Sequence, residues 1–292
     1  MNLSVYKHEY RAYEGRLTPL RSRVSVVARY AWDEAWSSRV TPGLFVLTML
    51  PVIVYLVGIY LANNETARML FGNRNMPFAI NAAFFLKVLS TQCWLALVMT
   101  AWIAPRLVSF DLADNALPIV LSHPISRFGY VLGKFITLFT SLSLITWVPC
   151  LLLFAYQGYS SAQPWMLANL RIAGGLLAGS LLWIVLLSIL GLALSSWVKW
   201  RVVATGIIFA AVFVPAGVGG IILGILRTRW GFLLNIPFIM TELWEKLLGT
   251  ETNPHPEREL PVSAILVVLS VVCLISIAML NSRIRAREVV RG

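Results

Sequence analysis

The side chains that usually carry catalysis or hold metals are few in this sequence and far apart. His8, His123 and His255 lie more than a hundred residues from one another, with no HExxH or equivalent spacing to set two imidazoles around a metal. Cys93, Cys150 and Cys273 sit inside apolar runs without a CxxC pair, the setting of a small hydrophobe rather than of a disulfide or zinc site. No GxSxG elbow presents a nucleophilic serine. The stretch from Gly129 through Gly133, Lys134 and Phe135 is superficially like a phosphate-binding loop. It has one residue too few between its glycines, and Phe135 replaces the Ser or Thr that would hold magnesium. No metal, cofactor or ATP site is therefore expected in this chain. Glu242, Glu245 and His255 are the one outer cluster of reactive types, and a solvated helix face is the simpler reading of them.

What remains suits mechanical rather than covalent work: the segment from Ser109 to Lys134. Ser109 can cap a short helix whose first turn carries Asp111, where a carboxylate meets the positive end of the helix dipole. Phe110, Ala113 and Leu117 follow at i, i+3 and i+7, giving an apolar face on a helix too short to be stable alone. Such a face predicts a partner. Pro118 would break or tighten that helix. Asp114 and the sequence Ser122-His-Pro-Ile-Ser-Arg127 place polar anchors beside it, before Gly133 and Lys134 open the next apolar run.

The elements that must position this segment are read from composition. Hydrophobic residues make up 58% and charged residues 13% of 292 positions, and the mean hydropathy is +0.76. A soluble domain has roughly 45–50% apolar and about 25% charged residues, so most of this chain faces lipid or other buried helices. Six stretches reach the roughly 20 residues needed to cross a hydrocarbon core about 30 Å thick. They are Gly43 to Ala62, a second ending at Pro105 that starts between Ala79 and Val88, Tyr130 to Tyr156, Gly174 to Val198, Val202 to Leu226, and Val262 to Asn281. Each is expected to be helical, because a segment in hydrocarbon must satisfy its backbone internally. Pro51, Pro149 and Pro215 fall mid-span and are expected to bend their helices. The pairs Gly175/Gly179 and Gly220/Gly224 have the spacing that lets helices approach closely, here within the chain.

With the N-terminus inside, the inner side receives sixteen of the 24 Lys and Arg residues and the outer side eight, so both termini are expected to be cytoplasmic. The net charge of +11 follows from that topology, and no nucleic-acid partner is implied. No carboxylate lies inside a span as drawn, which disfavours an ion-coupled secondary transporter. Between Arg21 and Arg39, Val24, Val27, Ala28, Ala31 and Ala35 share one helical face, Trp32 and Trp36 flank it, and Arg29 and Asp33 lie opposite. This pattern predicts an amphipathic helix in the inner interface, with Arg29, Trp32 and Trp36 as anchors and Lys134 reaching the same interface by snorkelling. The outer segment Arg227 to Pro261 is apolar in its first half but too short to cross, which predicts a re-entrant or interfacial element before the last span. Phe238, Leu243, Trp244, Leu247 and Leu248 would line its buried face, with Thr241, Glu242, Glu245 and Lys246 on the wetter one. The expected organisation is a cytoplasmic N-terminal segment over 1–42, a six-helix all-α transmembrane domain over 43–282, and a basic tail over 283–292.

On Asp114, Leu117, Leu121, Pro124, Ile125, Ser126, Arg127, Gly133 and Lys134, in that order, the sequence resembles the permease subunit of the type-2 ABC exporters. That family commonly has an acidic residue, a small pair and a Leu-rich turn, then Pro-Ile/Val-Ser-Arg and a Gly-Lys. The likeness extends to the N-terminal amphipathic helix, six spans and the re-entrant element, while Asn115-Ala116 stands where the family often has Gly-Thr. It implies a multi-pass protein of a bacterial plasma (inner) membrane, working with a second permease copy, membrane lipids and a separate ATP-binding subunit that holds ATP and magnesium. Phe110, Asp111, Asp114, Leu117, Leu121, Pro124, Ile125, Ser126 and Arg127 would then couple ATP hydrolysis to alternating access. The other classes compatible with the composition are a membrane enzyme acting on a lipid-linked substrate and a passive channel or scaffold.

Overall fold

A computed structural model describes residues 20–64, 66, 69, 79–113, 126–161, 165–250 and 259–283. Every element among them is helical: α1 (Leu20–Trp36), α2 (Val40–Asn63), α3 (Ala82–Ala113), α4 (Arg127–Ser143), α5 (Trp147–Ser160), α6 (Trp165–Ala168), α7 (Leu170–Ser195), α8 (Arg201–Leu226), a 3-10 turn (Arg229–Leu234), α9 (Ile236–Leu248) and α10 (Val262–Arg283). Six helical stretches are long and apolar enough to cross a membrane: α2, α3, α4 with α5, α7, α8 and α10. The described residues are therefore all-helical, with the six membrane-compatible helices expected from composition.

The spans are organised around α7, which packs against α3, α4, α5, α8, α9 and α10. Its most apolar stretch is 67% buried, against 11% for α2 and 17% each for α8 and α10. The core thus lies among α3, α4 and α7, where Leu89, Leu97, Leu107, Leu138, Trp183 and Leu187 are enclosed. Among the described residues nothing covers the apolar outer faces of α2, α8 and α10, as faces toward lipid or a partner require.

Proline explains two departures from the expected spans. The second span does not stop at Pro105; α3 runs on to Ala113. Proline removes the amide that would bond to the carbonyl four residues back, and Thr205 of α8 donates its hydroxyl to that freed carbonyl, Ala101 O, at 2.8 Å. A neighbouring hydroxyl is one of the ways membrane helices repair such a break. Ser109 consequently caps nothing. It lies inside α3 and donates to Ser195 O of α7 at 3.0 Å, and Phe110 and Asp111 belong to the end of the span rather than to a separate short helix. The third span is broken instead, between Ser143 and Trp147. Pro149 cannot bond to Ile145 O and its ring crowds that carbonyl, so the helix ends and restarts. Pro51 and Pro215 stay within α2 and α8.

Gly175 and Gly179 pack within the chain, as expected, and what they receive is α9. A Cβ on Gly179 would stand 2.7 Å from Trp244 Cδ1, and the Trp244 indole donates to Gly179 O at 3.2 Å. Gly220 and Gly224 face open space. In α9, Leu243, Trp244 and Leu248 are buried as predicted, but Glu242 is buried with them rather than wet.

Candidate functional site

The helix ends that flank residues 114–125 carry the densest polar chemistry among the described residues. At the start of α4, Ser126 is extended and its hydroxyl accepts the Gly129 amide at 3.0 Å, an N-cap that fixes where the helix begins. One turn further in, α4 presents Gly133, Thr137 and Ser141, all buried and spaced by four. This small-residue groove admits α1. A Cβ on Gly133 would fall 2.6 Å from Val27 Cγ1. Thr137 donates to Ala28 O at 2.9 Å, and the Trp36 indole donates to Ser141 Oγ at 3.4 Å. Ala31 and Ala35 are fully enclosed. The face of α1 that carries Val27, Ala31 and Ala35 packs against α4.

That close approach brings Lys134 of α4 against Glu34 of α1 and Asp111 of α3. The Lys134 ammonium lies 3.1 Å from Glu34 Oε2 and 3.1 Å from Asp111 Oδ2, with only 7% of its side chain exposed. Tyr130, one turn before Lys134, donates its hydroxyl to the same Asp111 oxygen at 2.5 Å. Lys134 therefore does not snorkel to an open interface as anticipated; it joins three helices. The ammonium has three donors and two carboxylates to meet, and a buried charge of this kind persists only when so partnered. Burial raises the Glu34 carboxyl above its ordinary value, even though Lys134 and Arg106 pull it down.

The remaining predicted site residues divide. Phe110 is partly exposed at the end of α3. Arg127 is exposed at the start of α4 and borders a groove of about 360 Å³ with Phe128, Phe135 and Leu280. Arg29 is exposed, while Trp32 stacks on Trp36 at 5.2 Å. Asp114, Leu117, Leu121, Pro124 and Ile125 lie outside the described residues. Glu34 and Tyr130 were not anticipated as site residues. Glu34 left a signal, because it stands three residues after Ala31 and seven after Val27, on the edge of the buried stripe.

Of the outer cluster Glu242, Glu245 and His255, Glu242 makes structural contacts. Glu242 accepts the Leu260 amide at 2.6 Å and pairs with Lys246 at 3.1 Å, and Lys246 donates to Leu260 O. Arg171 donates to Lys246 O at 3.0 Å, beside Gly249, whose φ of 74° ends α9. Burial and the neighbouring charges of Glu242 and Glu259 raise the Glu245 carboxyl. His255 lies outside the described residues, and among the described residues no three His, Cys, Asp or Glu side chains group as metal ligands. Compared with protein-family models the sequence has no match, and comparison with curated proteins gives none at significant similarity.

Proposed function

We propose that the chain is the membrane subunit of an ATP-driven exporter of the type-2 ABC kind, in which residues 114–125 receive force from a separate ATP-binding subunit. The observation that carries this reading is the Lys134 junction. Any load on that segment enters the bundle through the end of α3 at Asp111 and the start of α4 at Ser126, and Lys134 ties both ends to α1. Three helices joined by charge move together or not at all, and alternating access needs such a packing with two arrangements that a partner can bias. Tight close packing through Gly133 favours rigid-body motion over local deformation.

In this reading α1 lies along the inner membrane surface, with Arg29 and Tyr30 exposed and both termini in the cytoplasm. The 3-10 turn and α9 form the outer re-entrant element. The uncovered apolar faces of α2, α8 and α10 meet lipid and a second copy of the subunit. ATP and magnesium stay in the partner subunit, and this chain is not itself an enzyme.

The test is purification of the tagged chain from its native membrane, where an ATPase with a phosphate-binding loop is expected to accompany it. Leu117→Asp in the reconstituted complex is expected to leave ATP hydrolysis measurable while abolishing nucleotide-dependent transport, with the spans still folded. Full transport by that variant, or nucleotide-independent flux through the chain alone, would overturn the assignment.

A further inference from the structure

A second polar site, independent of the exporter reading, lies where α3 meets the start of α8. Trp102 is fixed in orientation because its indole donates to Thr41 Oγ1 at 3.1 Å and Thr41 in turn donates to Ala35 O at 2.8 Å. Two cations lie against that ring: the Arg201 guanidinium carbon stands 3.8 Å from the ring centroid and that of Arg106 stands 6.0 Å from it. An aromatic face attracts one guanidinium readily. Two like charges beside it repel.

Neither cation has an anionic partner among the described residues. The ion pairs there belong to Lys134 and Lys246, and Glu34, which feels the Arg106 charge, bonds to Lys134. Arg106 Nε and Arg201 Nη2 are both enclosed without a hydrogen-bond acceptor. A buried donor left unmade is costly, more so on a charged group. Arg201 is also the first residue of α8, and Trp200 before it supplies no side-chain cap, which leaves first-turn amides without an intrahelical partner. Trp200, next to Arg201 in the chain, is exposed, as indoles are at headgroup depth.

We propose that Arg106 and Arg201, held over Trp102, bind a phosphate group, that of an anionic phospholipid at the membrane surface. Guanidinium forks match phosphate oxygens in pairs, and basic pockets between spans are where anionic headgroups settle. The phosphate accepts from the orphan nitrogens and separates two charges that otherwise face each other.

The experiment uses the full chain in detergent, with bound phospholipid counted by native mass spectrometry during titration with phosphatidylglycerol or phosphatidylcholine. The wild type is expected to prefer phosphatidylglycerol, and Arg106→Gln with Arg201→Gln is expected to weaken that binding by about fivefold per arginine. Arg229→Gln, exposed beyond the far end of α8, is expected to change nothing. Arg106→Lys with Arg201→Lys, which keeps the charge without the fork, is expected to bind with intermediate affinity and serves if the Gln pair does not fold. Equal retention of both lipids, or unchanged phosphatidylglycerol binding in both pairs of variants, would overturn the site. A thermal shift by millimolar inorganic phosphate that disappears in the variants, with no lipid preference, would overturn the lipid and leave a free anion as the ligand.

Discussion

The two ends of the bundle each hold a buried lysine–glutamate pair, and the pairs differ in kind. Lys246 and Glu242 stand four residues apart on α9 and lock that helix to the backbone of Leu260. Lys134 and Glu34 are a hundred residues apart, and Asp111 adds a third helix. The first pair is a local clasp that α9 nearly completes by itself. The second exists only when α1, α3 and α4 are assembled, so it reports on their arrangement and resists its change. A buried ion pair is weak evidence for stability but a plain device for registry, and only the long-range pair has registry among spans to set.

Breaking each pair sharpens that contrast. The largest effect is expected for Lys134→Met, which leaves two carboxylates and the Tyr130 hydroxyl facing one another. A loss of about 3–5 kcal/mol is expected, seen as a lowered melting temperature together with release of α1, read as faster amide exchange along that helix. Glu242→Ala should cost less, about 1.5–3 kcal/mol for a bond to a charged group. Its signature is local: faster amide exchange around Leu260 with exchange along α1 unchanged. Equally faster exchange along α1 in both variants would erase the distinction between clasp and junction.

The smallest effect at neutral pH is expected for Glu34→Gln, below about 1 kcal/mol, because burial already opposes the charged form. Its value lies in the pH profile. The folded chain holds the Glu34 proton more tightly than the unfolded chain does, since its carboxyl titrates above the ordinary 4.5. This group's contribution to stability is therefore full below that value and fades as pH rises through the raised folded value. The difference in melting temperature between wild type and Glu34→Gln should change across that window and be flat above it. A difference that grew as pH fell below 4.5 would mean that the Lys134 charge, not burial, dominates at Glu34.

Much of this was legible before any fold was known. The stripe Val27, Ala31 and Ala35 encoded a helix with one buried face, and the six apolar runs encoded six spans to within a few residues. The boundaries moved where proline was read alone: Pro105 marked an end in the sequence and is a repaired point in the structure. Lys134 was read as an anchor because its partners lie far along the chain, and the same distance hid Tyr130 and Arg201 as members of polar sites.

The sequence by itself determined that this is an all-helical, multi-pass chain, because hydrocarbon forces every long apolar run to satisfy its own backbone and because helical periodicity is written in neighbours three and four residues apart. Tertiary structure alone decided which faces meet: that Gly133 admits α1, that Thr205 repairs α3 at Ala101, that Gly179 receives Trp244, and that Arg106 and Arg201 share one ring. Those choices depend on contacts between residues tens to a hundred positions apart, where a side chain's meaning is set by the helix that happens to face it.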